Sequence, residues 1–331
     1  VLPKPDPSTI TDTDYRKMFT YLGSLASKNA ALDKIKVGDT AFDNSAKTLM
    51  GITDNNKYTN LMNWYKGYNI AQIDNGLVTI NSETLLRQRL GGALHSQPVL
   101  VNYGYTGDIK DAENPDNQKN DIFFSTLGGV LHAVDAKTGK EKFSFIPGEK
   151  LNTLEAQFEN DAQLIPEFGM DLTWTYYRED KDLNGQINSG DKVYLYGGMR
   201  MGGSNYYALN LTSLTSPTLL FAIQGGSTGF TRMGQTWSQP VITTIRLGGY
   251  SRKVMIFGGG YDPRHETGFS IPLSPRIRIG HSSAADVMLA DPQPGAIRAE
   301  LVQTEDTWRL EDTHSGRPTL IDGQSIQSAP I

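Results

Sequence analysis

The 331-residue chain contains no cysteine, so neither a disulfide nor a thiolate metal site can contribute to it. That absence fits a reducing cytosol, but it equally fits a secreted protein held by a large core or by a metal. No run of about 18 apolar residues occurs, so no segment reads as a membrane-spanning helix. A basic excess is also missing: 31 Lys and Arg stand against 36 Asp and Glu, and a net charge of −5 argues against binding nucleic-acid phosphates. The five histidines, His95, His132, His265, His281 and His314, are dispersed without a metal-ligand pair, which argues against a zinc site. No Gly-x-Ser-x-Gly elbow surrounds Ser96 or Ser238, and Gly197-Gly198 and Gly258-Gly-Gly260 lack the Lys-Ser/Thr of a phosphate loop. Val1 is neither an initiator Met nor the start of a charged-then-apolar leader, and Gln327-Ser-Ala-Pro-Ile331 resembles the opening of a strand. The chain is expected to be a fragment of a longer one.

What is present is aromatic and glycine-rich. Four Trp, 15 Tyr and 12 Phe give the chain much to bury, and 34 Gly exceed the ordinary share of about 7%. Residues 1–10, with Pro3, Pro5 and Pro7, read as an extended linker. Tyr15, Met18, Phe19, Leu22 and Leu25 recur at spacings of three and four, with Thr11 to Asp14 as capping residues, and predict an amphipathic helix. Tyr58, Leu61, Met62 and Tyr65 predict a second helix ending near Gly67. After Leu90 short β-prone runs alternate with Gly, Asn and Asp clusters: 98–101, 121–125, 130–134, 193–196, 206–209 and 254–257. The expected organisation is an N-terminal linker and helical lead-in over 1–90, followed by an all-β region over 91–331.

A repeat selects among the all-β architectures. His95-Ser-Gln-Pro-Val99 recurs as Trp237-Ser-Gln-Pro-Val241 and, more weakly, as Gln327-Ser-Ala-Pro-Ile331; 142 residues separate Ser96 from Ser238, and 90 separate Ser238 from Ser328. With a unit of about 45 residues these intervals hold about three and two units, the length of a four-stranded propeller blade. In the first copy Asp135-Ala-Lys-Thr-Gly139 reads as a hairpin turn, and 142–146 as the outer strand. The predicted fold is therefore a β-propeller, incomplete in this chain, with about five units from Gly91 onward. His95 and His132 read as satisfied core or turn residues and Ser96 and Ser238 as strand-entry residues. Arg200, between Met199 and Met201, and Arg264 read as surface or binding candidates.

The most specific chemistry lies in Asp180-Lys-Asp-Leu-Asn-Gly-Gln-Ile-Asn-Ser-Gly-Asp191. Counted from Asp180, oxygen-bearing side chains fall at positions 1, 3, 5, 9 and 12, with glycine at 6 and Ile at 8, which is the EF-hand loop pattern with Asp closing in place of Glu. A tightly wound loop turns alternate residues inward, and calcium takes six to eight hard oxygens at about 2.3–2.6 Å. Asp180, Asp182 and Asn184 would supply side-chain oxygens, Gln186 its carbonyl, and Asn188 a direct or water-mediated contact, with Asp191 closing the shell. The flanks 174–177 and 193–196 are β-prone, so the loop is expected between strands rather than between helices.

Leu90-Gly-Gly-Ala-Leu-His-Ser-Gln-Pro-Val99, Thr126–Gly139, Phe145-Ile-Pro147, the loop 180–191 and Phe257-Gly-Gly-Gly-Tyr-Asp262 resemble the C-terminal part of the PilC/PilY family of type IV pilus-associated proteins. Asn63-Trp-Tyr-Lys-Gly67, upstream of Arg87-Gln-Arg89, is similar to that family's lead-in. The resemblance implies a propeller, seven-bladed in the family, with a calcium loop. It implies display at a pilus tip, outer membrane or cell surface, minor pilins as neighbours, adhesion to host or abiotic surfaces, and control of pilus extension, retraction and twitching. Only the loop residues carry over, and whether Asn188 or Asp191 closes the shell stays open. Past Asp262 the pattern weakens: Ala285–Gly295 resembles a degraded Asp-x-x-Thr-Gly turn and Thr307-Trp-Arg-Leu310 a family strand. Two other readings compete. A quinoprotein (PQQ) dehydrogenase propeller would repeat the Ala133-Val-Asp135…Thr138-Gly139 pattern, which is well formed once here, and carry vicinal cysteines. A scaffold propeller of outer-membrane assembly would lack the calcium loop. The expectation is a non-catalytic protein.

Overall fold

The computed structural model describes residues 16–80, 90–160, 168–260, 276–280, 287–288, 297–303, 308–313, 319–321 and 324–330. The proline-rich linker, the Thr11–Asp14 cap, Tyr15, Arg87–Arg89, Tyr261-Asp262, Arg264, His265, His281, Thr307 and His314 lie outside the described residues, as does most of 285–295. The chain divides into two compact units, Val1–Pro263 and Arg264–Ile331.

The first unit is built on two four-stranded antiparallel meanders. Strands β4 (Val99–Tyr105), β5 (Gln118–Ser125), β6 (Leu131–Asp135) and β7 (Glu141–Phe145) form one, and β8 (Thr175–Glu179), β9 (Lys192–Gly198), β10 (Tyr206–Asn210) and β11 (Thr218–Ile223) the other. In each strand alternate residues turn inward. Phe123, Ala133 and Phe143 sit side by side across three strands, a large–small–large row that lets the two phenyl rings approach to 6.5 Å. That face packs with Trp174, Leu195, Leu209 and Leu219 of the second meander into one buried core. A two-stranded ribbon, β12 (Val241–Leu247) and β13 (Tyr250–Ile256), follows; its Met255 joins Tyr206, Leu172 and Met233 in a smaller cluster.

The N-terminal segment corrects one expectation. Residues Met18–Thr20 form strand β1, not a helix, and lie parallel to β7, with Met18 opposite Ser144. Met18 faces one core cluster and Phe19 the other, because both faces of this strand are covered. Consecutive buried residues then mimic helical spacing, and the open edge of β7 supplies partners for the strand's N–H and C=O groups. Strand β3 (Asp33–Lys34) pairs with β1, and β2 (Ala30–Ala31) caps β11, so one short segment covers the last strand of both meanders. The run 142–146 is accordingly flanked on both sides and is not an outer edge.

The predicted second helix is present as α2 (Asn55–Lys66), with Tyr58, Leu61, Met62 and Tyr65 buried and Gly67 closing it at φ 115°. It follows α1 (Thr40–Met50), whose N-cap Asp39 accepts from the amides of Ala41 and Phe42. A short helix α3 (Leu154–Glu159) completes this layer, which packs around Ile35, Ile146 and Leu151.

The repeat recurs at strand entries, but at a longer period than about 45 residues. The Ser-Gln-Pro copies at 96 and 238 precede β4 and β12, and two meanders, not three 45-residue units, lie between them. Each meander has about the expected length, but the connectors 146–174 and 224–240 stretch the spacing. The third copy also enters a strand: Ser328–Pro330 form β20, the edge strand of a sheet, with Leu310 opposite Ala329. That sheet belongs to the second unit and runs β15 (Val287–Met288), β14 (Arg276–Gly280), β16 (Ile297–Gln303), β17 (Trp308–Asp312), β20. A hairpin of β18 (Thr319–Ile321) and β19 (Gln324–Ile326) accompanies it. The described architecture is mostly β-sheet, in open sheets that do not close among the described residues.

Candidate metal centre in the loop between β8 and β9

The loop 180–191 joins β8 to β9, which are antiparallel neighbours with Glu179 opposite Lys192. The expectation of a loop between strands holds. Leu183 and Gly185 both take positive φ, 57° and 80°, and wind the chain tightly. That winding converges carboxylates: oxygens of Asp180, Asp182 and Asp191 all lie within 4.8 Å of one another. Two oxygens on opposite sides of one calcium ion stand about 5 Å apart, so this spacing suits shared coordination.

The remaining atoms show how the loop is held. Asp180 accepts from the amides of Asn184 (3.2 Å) and Gly185 (2.8 Å) through its two oxygens. Asp191 accepts from Lys181 N (2.9 Å) and Asn188 N (2.8 Å). Those backbone donors hold the Asp191 carboxyl below the ordinary aspartate range. Asn184 Nδ2 donates to Asp182 at 2.8 Å while its Oδ1 accepts from Gln186 N at 2.7 Å. Its amide therefore lies beside the carboxylates, and rotation about the last side-chain bond would present oxygen in place of nitrogen. Asn188 contributes a backbone N–H to Asp191.

Gln186 is committed elsewhere. Its Nε2 donates to Tyr105 O at 2.8 Å and its Oε1 accepts from Tyr105 N at 3.3 Å, leaving the main-chain carbonyl as its ligand group. Strand β4 makes room through a register shift between Asn102 and Tyr105, and Gly104 at φ 120° sits where any Cβ would overlap Gln186 Oε1. Ile187 N donates to Tyr103 O (3.1 Å), and the Tyr105 hydroxyl to Asn184 O (3.2 Å). Arg178 donates from Nε to Asn102 O (2.9 Å) and from Nη2 to Gly185 O (3.2 Å), and its guanidinium reaches Asp180 at 3.8 Å. The loop is thus a latch between the second meander and the edge strand of the first. Sequence reasoning did not find Gly104, Tyr105 and Arg178 as parts of this latch. The one local signal was a glycine inside a strand pattern at 104, which marks a bulge or close approach.

His132 is a core residue, as expected, but only half satisfied, since its Nε2 is buried without a hydrogen-bond partner among the described residues. It lies on β6 and bonds through Nδ1 to Glu141 Oε1 at 2.7 Å, and Arg16 clasps the same carboxylate at 2.6 and 2.9 Å. Burial pushes Glu141 up, but hydrogen bonds from Arg16 and His132 outweigh it and hold the group down at about 2. Burial lowers His132, against the pull of Glu141. An ionised carboxylate only accepts, so Nδ1 of His132 carries the proton. The Asp135–Gly139 turn is a hairpin whose Asp135 Oδ1 accepts from Lys137 N, Thr138 N and Thr138 Oγ1 at 3.1, 2.7 and 2.8 Å. Ser96 Oγ accepts from Ser125 N at 2.9 Å, which fits a strand-entry role.

No model of a known protein family matches the chain. Among characterised proteins the chain is similar to the type IV pilus biogenesis factor PilY1 of Pseudomonas aeruginosa (strain UCBPP-PA14), 26% identical over 194 residues, covering 53% of this chain and 16% of that protein. It is 25% identical over 218 residues to the type IV pilus biogenesis factor PilY1 homolog of Xylella fastidiosa (strain Temecula1 / ATCC 700964), covering 60% of this chain and again 16% of the relative. The crystal structure of the Pseudomonas aeruginosa PilY1 C-terminal domain aligns at 24% identity over 46% of this chain and 27% of that chain, with a TM-score of 0.30. The two sequence matches bear out the resemblance to the PilC/PilY family over about half of the chain.

Proposed function

We propose that the chain is a calcium-binding portion of a type IV pilus biogenesis factor. The gathering of Asp180, Asp182 and Asp191 in a loop of EF-hand spacing carries this reading. Asp180, Asp182 and Asp191 would hold the ion with carboxylate oxygen, Asn184 with its amide oxygen, Gln186 with its carbonyl, and Asn188 directly or through water. Bound calcium would supply charge neutralisation and a rigid centre. The chain's own part is the latch: Gln186, Ile187 and Arg178 transmit the order of the loop to β4. A loop loosened by ion loss would free β4 from β8 and alter the surface the two meanders present. The stacking of one meander on the next, and the ribbon β12–β13 on the second, supports a propeller whose sheets continue around a ring.

The pilus role follows the relatives. On this reading the protein sits at the pilus tip, outer membrane or bacterial surface, with minor pilins as neighbours. It acts there in extension and retraction, twitching and attachment to host or abiotic surfaces, and is not an enzyme. Terbium titration tests the site: Tyr105 lies against the loop and should sensitise terbium luminescence, competed by calcium and lost in Asp180→Ala. Equal luminescence in that variant would remove the assignment. Twitching and surface piliation in a strain carrying Asp180→Ala test the role.

A further inference from the structure

A second constellation lies where the Ser-Gln-Pro repeats begin. The residue before each serine, His95 in one copy and Trp237 in the other, stands at the entry of β4 and of β12. Between them sits Asp171, almost fully buried at 1% side-chain exposure. Its Oδ1 accepts from His95 N at 2.9 Å, and its Oδ2 meets His95 Nδ1 at 2.5 Å and Arg200 Nη1 at 3.7 Å. On its other side the Arg200 guanidinium lies over the Trp237 ring at 4.6 Å. Trp237 is itself fixed, with Nε1 donating to Gln235 Oε1 at 3.1 Å, yet 39% of it is exposed.

Three features of this group exceed what a structural tie needs. First, the Arg200 guanidinium makes no hydrogen bond among the described residues, although it carries five donors. His95 Nε2 likewise has none there, and 42% of that side chain is exposed. Second, Arg200 holds a positive φ of 53°, which a residue with a branched-off long side chain rarely takes. The backbone is pinned there by the bridge Arg200↔Thr236 and by Gly202 N donating to Met199 O at 2.9 Å. Glycine would occupy this turn without strain, and strained positions of this kind gather at ligand clamps. Third, a buried carboxylate orients the imidazole and the guanidinium together, so the free edge of each is preset rather than floppy.

We propose that His95, Asp171, Arg200 and Trp237 form a binding site for a carboxylate-bearing ligand. Arg200 offers the ligand its unspent N–H edge and Trp237 a platform for the ring or apolar body next to the carboxylate, while His95, its Nδ1–H spent on Asp171, walls the site and presents Nε2 as an acceptor to a hydroxyl or N–H of the ligand. The planar guanidinium fork suits a carboxylate. A doubly charged phosphate would bring a larger negative charge over Asp171, with only one permanent cation to offset it. Asp171 is a positioning residue, and Ser96, whose hydroxyl is tied to Ser125, is not placed to act as a nucleophile here. A carboxylate of this kind occurs at a peptide C-terminus and in an acidic sugar, and the same four residues would take either.

The test is NMR titration of the full chain, following the His95 and Trp237 ring resonances, with four probes: N-acetylglycine, its amide, glucuronate and glucose. The expected result is that at least one acid shifts both rings while its neutral partner does not. N-acetylglycine alone would assign a peptide terminus, and glucuronate alone an acidic sugar. Arg200→Gln should weaken the active acid by roughly tenfold or more, the loss of a charge-assisted pair. Arg200→Gly should do the same while melting no lower than the wild type, since it relieves the positive φ; binding lost with the fold intact separates a ligand site from a structural tie. Calcium chelation should leave the response in place. No ring shift with either acid at tens of millimolar, equal shifts with the neutral partners, or an unchanged affinity in both Arg200 variants would each overturn the proposal.

Discussion

Acidic side chains in the first sheet are matched by cations of the chain, whereas the three carboxylates in the loop of the second sheet share one arginine among the described residues. Asp121 and Asp135 share Lys142, whose Nζ lies 2.6 and 3.5 Å away, and Glu141 is clasped by Arg16 and His132. In the loop, Asp180, Asp182 and Asp191 gather with Arg178 reaching Asp180 at 3.8 Å as the ion pair formed among the described residues. The nearby Lys192 turns to Glu179 instead, at 2.5 Å. Both regions gather carboxylates on antiparallel strands or on the hairpin connection between them. They differ in where compensating charge is available, and that is why the loop is the one proposed to take an external ion.

The largest expected effect breaks the self-sufficient side. Arg16→Met leaves Glu141 buried without its main partner and should cost about 3–5 kcal/mol of stability, unaffected by calcium. A loss under about 1 kcal/mol in denaturant titration would show the pair to be dispensable.

Acid gives the next contrast. Glu141 sits near 2 in the folded protein against 4.5 when free, so its stabilisation is present above about pH 4.5 and drains away as pH falls toward 2. The full swing is about 3 kcal/mol. Asp121, raised by burial against the pull of Lys142, works with the opposite sign and offsets part of it. Melting temperature measured between pH 6 and 3 should fall less steeply in Glu141→Gln than in the wild type.

The loop should respond to calcium where the first sheet does not. With calcium at 100 times its dissociation constant the wild type should gain about 2.7 kcal/mol, and Asp180→Asn should gain little. Calorimetry in calcium and in chelator measures both. Smaller again is Gly104→Ala, which adds a Cβ against Gln186 at a positive φ and should cost about 1–2 kcal/mol. Its signature is specific: the amides of Tyr105 and Ile187 should exchange faster while those of Phe123 and Ala133 keep their protection.

The EF-hand spacing was legible because its oxygen-bearing residues are local. Twelve consecutive residues carry the spacing, and the winding at Leu183 and Gly185 follows from short-range sterics. Strands 121–125, 193–196 and 206–209, and helix α2, were legible for the same reason: a period of 2.0 or 3.6 is visible in a few residues. Met18–Thr20 was misread because its burial comes from two cores that approach from opposite sides, which no local pattern encodes. The repeat period was misread because connector lengths, not strand lengths, set it.

By itself, then, the sequence determined a mostly β chain punctuated by glycine, the lead-in helix α2 and the oxygen-rich loop, since each depends on contacts a few residues apart. Tertiary structure alone decided that β1 and β2 cover the ends of two meanders, that Gly104 and Gln186 latch the loop to β4, and that His95, Asp171, Arg200 and Trp237 meet. Those pairings join residues dozens of positions apart. They form where burial and hydrogen bonding outweigh the entropy of closing long loops, a balance set by the whole fold rather than by any one segment.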